Sequence, residues 1–275
     1  MNKKRSNRRK FIQSTVLGLG GISFSPMLHA RDSSTVLMQQ QQIKPNILCV
    51  GAHPGDPEFG CGGTMAKYSK TGNAVTFLYL TRGEAYNDKQ SFEQSAALRT
   101  KEAENACKLL SATPLFAGQI DGNTELNKVR NEAATKLILA QNPDVVFTHW
   151  PLDSHQDHQV AGMLTLTAWM HCNKHFHLYF YEVNTGSETI GFSPTDYVDI
   201  TDVREIKKAA MFAHTTQEPQ KVYDEFFKTM EEFRGLEAGV KAAEAFMYFK
   251  PAMKEQKLRV CNDTRLLCRR IHRLV

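Results

Sequence analysis

Apolar runs and amphipathic stretches alternate along the chain from Asn46 onward. Near-continuous apolar strands bracketed by helices are typical of a mostly parallel sheet that is covered on both faces. The pattern therefore predicts an α/β fold, a doubly wound and Rossmann-like sheet in a single domain. The apolar runs occupy residues 47–52, 75–81, 114–118, 144–150, 178–183 and 197–201, and helices are predicted near 61–71, 92–111, 125–141, 157–173 and 203–213.

Helical patterning resumes after the last apolar run and extends from residue 220 to 247. Gly235 and Gly239 lie within it and mark expected breaks or close contacts. The sequence shows no internal repeat and no low-complexity linker. We therefore expect one domain over residues 46–250, followed by a basic tail at 251–275.

The first 30 residues have the layout of an export signal. A basic head is followed by an apolar run that is shorter than the ~20 residues of a membrane-spanning helix, and Ala30 is a small residue at a plausible cleavage point. Arg8 and Arg9 resemble the pair of a twin-arginine signal. The segment predicts export to the periplasm or the extracellular space, with a polar lead-in at 31–45. A basic, disordered tail is the alternative.

The net charge of +5 is concentrated at the two ends of the chain, and acidic residues outnumber basic ones between them. A nucleic-acid-binding protein would spread positive charge over its folded body, so nucleic acid is excluded as an expected partner. The basic tail could mediate association, contact an anionic membrane surface or simply be solvated. The oligomeric state is not predicted.

The six cysteines include no CxxC pair, which excludes a thiolate zinc knuckle. Cys49 and Cys107 lie in apolar patterns and are expected in the core. Cys261 and Cys268 could pair in an oxidising compartment, but nothing in the local sequence requires it.

The first apolar run ends in GAHPGDPEFGCGGT, residues 51–64. A dinucleotide-binding fingerprint is excluded because Met65 occupies the place of the third glycine, and a P-loop is excluded because Cys61 stands where lysine is required. His53 and Asp56 remain, on either side of a Pro-Gly step just after a strand. Imidazole and carboxylate are suitable ligands for zinc.

The fourth apolar run ends in a second cluster, THWPLDSHQDHQ, residues 148–159. His155, Asp157 and His158 lie at or near the start of the following helix. One of these histidines could complete a metal site with His53 and Asp56, because the carboxyl ends of parallel strands meet at one edge of the sheet. A three-residue site leaves a coordination position open for water, which is typical of catalytic zinc.

Purely structural roles for the same residues, without a metal or catalysis, remain open. A histidine at a strand end can serve as a hydrogen-bonded cap, and Asp157 can cap the helix that follows it. Three further histidines, His171, His175 and His177, follow a helix end without a carboxylate partner, and we expect them to be surface or cap residues.

Taken together, the motifs resemble the PIG-L / LmbE-like family of zinc-dependent de-N-acetylases. The family's opening motif AHP-D-D-x-E stands here as AHPGDPE, and its H-x-D-H motif stands as HQDH. The resemblance covers about residues 46–249 and implies the LmbE-like variant of the doubly wound fold. The further matching motifs are CGGT (61–64), TRGEA (81–85), RTKEAENACKLL (99–110), DG (121–122), YVDIT (197–201), HTTQ (214–217) and GVKAAEAF (239–246).

The resemblance also implies residue roles. His53, Asp56 and His158 match the ligands of Zn²⁺, although another divalent metal is possible. His155 matches the histidine that polarises the amide oxygen and protonates the leaving amine, with Asp157 holding its imidazole charged and oriented. A further match is Arg99, which corresponds to an arginine associated with substrate binding.

One position departs from the family, because Gly55 stands where the general base is usually an aspartate. A general base contributes roughly 10²–10⁴-fold to a rate. Glu58 and Asp157 are the nearest replacements by sequence. Otherwise the activity has changed, or the glycine makes room for a bulkier substrate.

The resemblance thus implies a zinc-dependent amidohydrolase that removes an N-acyl group, in the first place acetyl, from an amino sugar or a related amine, and the amino-terminal signal predicts that it is exported. Its expected partner is a small-molecule or glycoconjugate substrate. Two alternatives remain: a metal-holding or sugar-binding module without catalysis, and a hydrolase of a different amide or of an ester.

Overall fold

A central sheet organises the part of the chain that the computed structural model describes, residues 44–86, 89–172, 176–183 and 189–250. The strands are β1 (Ile47–Gly51), β2 (Val75–Tyr79), β3 (Thr113–Phe116), β4 (Val145–His149), β5 (His177–Tyr181), β6 (Asp196–Asp199) and β7 (Ala243–Tyr248). The helices are α1 (Asp56–Lys70), α2 (Phe92–Leu110), α3 (Lys128–Ala140), α4 (Gln156–His171), α5 (Arg204–Phe212), α6 (Pro219–Val222) and α7 (Lys228–Ala238), with a π-helical turn (Tyr223–Phe227) between the last two.

Several predictions fall outside these residues. The export signal at 1–30, nearly all of the polar lead-in, the basic tail at 251–275 with Cys261 and Cys268, and His175 all lie there. Within the described ranges, no helix is both long enough and apolar enough to cross a membrane.

The strands are ordered β3-β2-β1-β4-β5-β7-β6. β1 to β5 are mutually parallel, and β7 runs antiparallel to its neighbours β5 and β6. The predicted doubly wound, mostly parallel α/β sheet is therefore confirmed. From β1 the chain first adds β2 and β3 on one side and then crosses over to add β4 and β5 on the other side. The strand order therefore reverses between β1 and β4.

Two boundaries differ most from the sequence prediction. The helical pattern predicted to 247 was wrong at its end, because Ala243–Tyr248 is strand β7. Its alanines and glutamate favour a helix locally, but β7 fills the space between β5 and β6 and is buried at Ala243, Glu244, Ala245 and Phe246. Tertiary placement overrides local propensity here. Helix α1 also begins earlier than predicted, at Asp56.

Alternate residues along the strands build two cores. On one face, Cys49, Phe77 and Phe147 belong to a cluster that includes side chains of α1, α2 and α5. On the other face, Leu48 and Val146 belong to a cluster with side chains of α3 and α4. Period-two alternation with both faces apolar explains why the strands read as continuous hydrophobic runs.

Helix α1 is broken at Cys61, whose backbone has φ −145° and ψ 18°. The break leaves backbone N–H groups without helical partners. The Glu244 carboxylate of β7 accepts them, at 2.8 Å from Gly63 N and 2.7 Å from Thr64 N, and accepts the Thr64 hydroxyl at 2.6 Å. A buried carboxylate thus caps the second half of the helix, as an acidic group does at any helix N-terminus.

Glu244 also belongs to a set of paired charges, the lysine cluster, made of Arg204, Lys207, Glu231 and Glu244. Lys207 is fully buried, with Nζ 2.7 Å from Glu244 Oε1 and 3.0 Å from Glu231 Oε1. Arg204 Nε donates to Glu231 Oε2 at 2.8 Å. Burial opposes the charged form of Lys207, but the two glutamates raise its pKa above the usual range. The lysine cluster joins α5 and α7 to β7.

Candidate metal centre and active site

The loop after β1 carries the first two predicted metal ligands. Asp56 Oδ2 accepts the backbone N–H of His53 at 2.7 Å and lies 3.2 Å from Nδ1 of the same residue. Both residues are buried, with 9% of His53 and 8% of Asp56 exposed. The tight turn between them brings both ligand atoms to one side, beyond the carboxyl end of β1.

The segment after β4 brings the third predicted ligand to the same place. His158 lies in the first turn of α4, and its Nε2 is 3.5 Å from Asp56 Oδ2. Candidate ligand atoms of His53, Asp56 and His158 lie within 4.8 Å of one another. Because β1 and β4 are neighbours where the strand order reverses, two loops far apart in sequence meet at this point.

Carboxylates lie behind both imidazoles. His53 Nε2 is 3.1 Å from Asp121 Oδ1 and 3.1 Å from Asp157 Oδ2, and His158 Nδ1 is 3.2 Å from Asp153 Oδ1. One nitrogen of each imidazole therefore points to Asp56 and the other to a carboxylate. This is the usual environment of metal-bound histidine, in which the second nitrogen donates to an acid that fixes the ring.

The electrostatics also suit a cation. Burial would lower the pKa of His53, but Asp56, Asp121 and Asp157 together raise it well above its ordinary value. Burial opposes ionisation of Asp56, yet His158 and His53 hold its pKa well below the usual range. Anionic carboxylates outnumber the imidazoles they surround, so a divalent cation is a favourable occupant. Nitrogen and oxygen donors of this kind fit zinc.

His149, the last residue of β4, is a member of this site that the sequence did not single out. It is fully buried, its ring is stacked on His158 with centroids 4.0 Å apart, and its Nε2 lies 3.1 Å from Ala52 N and 3.2 Å from Asp56 Oδ2. Burial and the neighbouring His158 lower the pKa of His149 to about 4. The neutral ring supports the loop from below. Its position as a strand-end histidine was the available signal.

The name histidine–aspartate cluster is used below for His53, Asp56, Asp121, His149, Asp153, His155, Asp157 and His158.

His155 and Asp157 are placed differently from the prediction. His155 is the N-cap of α4, and its Nδ1 accepts the backbone N–H of Asp157 at 3.2 Å. The carboxylate of Asp157 turns away, to His53 Nε2, to the Thr124 hydroxyl at 2.6 Å and to Gly122 N at 2.8 Å. The expectation that Asp157 orients His155 is therefore corrected: Asp157 orients His53. Residues two apart at a helix start point in different directions, which explains the difference.

The capping bond also fixes the tautomer of His155. Because Nδ1 accepts a hydrogen bond, the ring proton resides on Nε2. Burial and the nearby rings of His158 and His53 lower the pKa of His155, which favours the neutral form. His155 is thus a neutral Nε2–H donor exposed at the site, rather than the charged imidazolium that the sequence predicted.

Glu58, a sequence candidate for the general base, is fully buried in α1. Its Oε1 accepts the Tyr79 hydroxyl at 2.7 Å and lies 3.2 Å from His214 Nε2, and its Oε2 accepts Gly55 N–H at 3.2 Å. This last bond is the acid-to-backbone half of a capping box. The carboxylate lies beneath the loop, and its oxygens are engaged by the protein.

Arg99 is likewise directed at the protein. It is 2% exposed, and its guanidinium donates to Pro54 O at 2.6 Å and to Thr216 Oγ1 at 3.1 Å. Burial lowers its pKa. Glu102, one turn later, accepts from the hydroxyls of Thr215 and Thr216. These contacts hold the loop of the metal ligands against the 214–217 segment. Contact of Arg99 with substrate stays a prediction.

Gly55, where an acid is usual, has a backbone that other residues rarely adopt, with φ 109° and ψ −39°. A β-carbon here would have ordinary contacts with Phe59 and His214, 3.7–3.8 Å away, so the obstacle is the backbone and not space. Such conformations are essentially confined to glycine. The backbone conformation of this loop therefore depends on glycine at position 55. Replacing Gly55 would strain the backbone as well as add a side chain.

The cluster opens into a cavity of about 410 Å³, a size typical of small-molecule sites. Its floor and its wall have different chemistry. The floor is formed by His53, Asp56, Asp121, His155 and His158, and the wall by Phe59, Ala85, Tyr86, Val183, Gln217, Val222 and Phe227.

Asp121 is the second residue of this site to which the sequence gave no role. It follows β3, faces the cavity, and accepts the Ala85 N–H at 3.0 Å through Oδ2. The only signal was its place in the DG motif after a predicted strand. Away from the site, His171 is exposed and His177 is half-buried with Nδ1 3.0 Å from the Tyr248 hydroxyl, as expected for residues without a role.

Comparison with known proteins agrees with this geometry. A family model described as PIG-L, GlcNAc-PI de-N-acetylase, matches residues 48–169, which include both loops that carry the predicted metal ligands. The chain is 28% identical over 222 residues to a diacetylchitobiose deacetylase of Thermococcus kodakarensis, a match that covers 74% of this chain and 82% of that protein.

Solved structures give the same picture. The N,N'-diacetylchitobiose deacetylase of Pyrococcus horikoshii, in complex with an inhibitor, has a TM-score of 0.68 and 26% identity, covering 74% of this chain and 84% of that one. A conserved protein of Thermus thermophilus has a TM-score of 0.63 and 28% identity, covering 78% of this chain and 100% of that one. The expected LmbE-like fold and the expected class of enzyme, a hydrolytic de-N-acetylase, are confirmed. Residues 48–169 of the chain thus match the PIG-L family of de-N-acetylases, and the wider chain is similar to its deacetylases.

Proposed function

We propose that this protein is a zinc-dependent enzyme that removes the acetyl group from the nitrogen of an N-acetylglucosamine-like sugar or glycoconjugate. The observation that carries the proposal is the convergence of His53, Asp56 and His158 on the floor of a cavity that His155 also faces. The names of the two diacetylchitobiose deacetylases support an N-acetylated amino sugar as substrate. The polar floor suits the amide, and the cavity volume suits a sugar ring.

His53, Asp56 and His158 would hold the metal. When bound, zinc supplies Lewis-acid polarisation of the amide carbonyl and makes a hydroxide nucleophile accessible near neutral pH. His53 is held for this by Asp157 and Asp121, and His158 by Asp153. Three ligands leave the open position that catalysis requires.

Asp121 is the carboxylate that we assign to proton transfer in place of the acid missing at Gly55. Among the described residues that line the cavity, it and Asp56 are the acids, and Asp56 is committed to the metal. Glu58 and Asp157, the candidates from sequence, are more deeply buried than Asp121 and do not line the cavity. Asp121 contacts His53 Nε2 and the Ala85 N–H, and it still faces the cavity. Asp121 accepts the proton of the attacking water and then delivers it to the departing nitrogen, as one base-then-acid group can do.

His155 donates its Nε2–H to the carbonyl oxygen as negative charge develops there. Its neutral tautomer, fixed by the Asp157 N–H, suits this hydrogen-bonding role better than the delivery of a proton. The wall residues Tyr86, Val222 and Phe227 then exclude water from one side of the reacting amide.

The test is acetate release from N,N'-diacetylchitobiose and from N-acetylglucosamine by zinc-loaded protein. Asp121→Asn should lower kcat by roughly 10²–10⁴-fold, the contribution of a general base, while zinc stoichiometry is unchanged. Asp202→Asn, at an exposed carboxylate that pairs with Lys67 in the last turn of α1 and does not line the cavity, is the matched control. An Asp121→Asn variant with full turnover would rule out this base. Zinc-loaded wild-type protein that hydrolyses neither sugar nor other N-acyl amines would favour the binding-module alternative.

The proposal includes export, supported by the Arg8-Arg9 pair and the short apolar run of the first 30 residues. When the full chain is expressed in a bacterium with a twin-arginine pathway, the protein should be recovered outside the cytoplasm, shortened by cleavage of the signal. Replacing both arginines with lysine should retain it in the cytoplasm at full length. Unchanged fractionation of this variant would contradict the assignment.

A further inference from the structure

Two buried cysteines face each other beneath the loop of the metal ligands. Sγ of Cys49, in the middle of β1, lies 3.0 Å from Sγ of Cys61, at the break in α1. Both side chains have no exposed surface. A disulfide has an S–S bond of about 2.05 Å, so the two sulfur atoms need to approach by about 1 Å to form one.

The break in α1 accounts for this proximity. At Cys61 the backbone leaves the helical path, and the side chain lies against β1, where it also donates to Pro57 O at 3.3 Å. The segment between the two cysteines carries His53 and Asp56. A bond between the cysteines would therefore close a short loop around two of the three predicted metal ligands.

We propose that Cys49 and Cys61 are a disulfide-forming pair that covalently ties the start of α1 to β1. The oxidant is a low-molecular-weight disulfide such as oxidised glutathione. The thiolate of one cysteine attacks a sulfur of the oxidant, which forms a mixed disulfide and releases one thiol. The thiolate of the other cysteine then attacks the protein-bound sulfur and releases the second thiol. Two electrons pass from the cysteines to the oxidant, and their two protons end on the released thiols.

The bond forms while the chain folds. In the folded protein, burial raises the pKa of both thiols, which keeps them protonated, and no surface is open to the oxidant. Once formed, the same burial shields the bond from reductants. Its formation is independent of the proposed deacetylase activity.

Two other buried cysteines are internal controls. Cys107 Sγ lies 3.5 Å from the Tyr79 hydroxyl, and Cys172 Sγ donates to Trp169 O at 2.9 Å. These contacts are to oxygen atoms, whereas Cys61 contacts the sulfur of Cys49 as well as Pro57 O, so Cys107 and Cys172 should remain thiols under the same conditions.

The first test is a peptide map of the full chain refolded with oxidised and reduced glutathione. Free thiols are blocked with N-ethylmaleimide in denaturant, and the protein is cleaved after glutamate. Because Glu58 lies between the two cysteines, they fall on separate peptides that stay together only through a disulfide. We expect this linked pair in most molecules, with Cys107 and Cys172 alkylated. Alkylation of both Cys49 and Cys61, or linkage of either to another cysteine, would overturn the proposal.

A second measurement uses thermal unfolding with and without reductant, in a background where Cys261 and Cys268 are replaced by serine. That background should lose several degrees of Tm when it is unfolded and refolded in reductant. Cys107→Ala should show the same loss, and Cys61→Ala should show none. Equal sensitivity of the Cys61→Ala variant to reductant would contradict the assignment even if the peptide map were ambiguous.

Discussion

Two buried groups of charges in this protein contrast in what surrounds them. In the lysine cluster, Lys207 and Arg204 are matched by two buried glutamates between α5, α7 and β7, and Arg204 alone is partly exposed. In the histidine–aspartate cluster, four carboxylates face four imidazoles, of which His149 and His155 have lowered pKa values and His53 a raised one, and one side opens into a cavity. Burial and charge density alone do not distinguish them.

What distinguishes them is whether the protein completes its own charge balance. The lysine cluster is complete: cations and carboxylates bond each other, and Glu244 also caps a broken helix. In the histidine–aspartate cluster, His149 and His155 have lowered pKa values, so four carboxylates face few charged imidazoles and a further cation would complete the balance. We therefore interpret buried carboxylates next to open volume as the physical mark of a candidate metal site, and a matched set of charges as that of a structural joint.

The largest expected effect separates the clusters by metal content. His53→Ala should bind no stoichiometric zinc and show no measurable acetate release, because one of three ligands is lost. Elemental analysis of the purified protein measures the first and an acetate assay the second. His171→Ala, at an exposed histidine, should keep both. Full zinc occupancy in His53→Ala would show that the ligand set is wrong.

The converse change is in the lysine cluster. Lys207→Met leaves Glu244 buried without a cation and Glu231 paired with Arg204 alone, and should lower the free energy of unfolding by about 3–5 kcal/mol. Urea denaturation measures this, and the folded fraction should keep its zinc. Lys101→Met breaks an exposed ion pair with Glu104 and should cost no more than about 1 kcal/mol. A Lys207→Met protein of wild-type stability would remove the basis of the comparison.

Asp153→Asn should have an intermediate effect on the metal site. Its Oδ1 holds His158 from behind, and loss of such a carboxylate weakens metal affinity by roughly 10–100-fold. Competition with a chromogenic chelator gives the affinity. The free energy of unfolding of the metal-free protein should change much less than in Lys207→Met. Unaltered zinc affinity would show that His158 is positioned by other contacts.

The smallest effect is expected at Gly55. Gly55→Ala should cost about 1–3 kcal/mol of stability because of the positive φ. Gly55→Asp carries the same strain and adds a carboxylate, so the ratio of their turnover isolates the acid. We expect neither variant to have a higher turnover than the wild type, because Asp121 already acts as the general base in our proposal. Turnover of Gly55→Asp well above that of the wild type would show that the native site lacks an effective base.

The sequence predicted those features of the fold and the site that depend on residues close together in the chain. The strands were predicted because each is an apolar run buried on both faces, and the loops of His53 and His158 were found because polar residues follow those runs directly. Their meeting was predictable from the rule that parallel strands end at one edge. The family motif added the choice of His158 over its neighbours as the third ligand.

The rest depended on tertiary contacts that no local pattern encodes. Asp157 is bonded to His53 instead of His155 because the helix start turns its carboxylate toward the 122–124 loop. Asp121 reaches the cavity only because β3 is placed at the same sheet edge, and β7 is a strand only because a gap between β5 and β6 receives it. Each of these is decided by a partner distant in sequence.

The separation of floor and wall in the cavity has an evolutionary consequence. The reacting groups come from loops after β1, β3 and β4, whereas Val222 and Phe227 come from the region of the π-helical turn ahead of α7. Changes in the width of the entrance can therefore accumulate without altering the reaction centre. A small library at these two positions is the natural place to diversify which acylated amines the enzyme accepts.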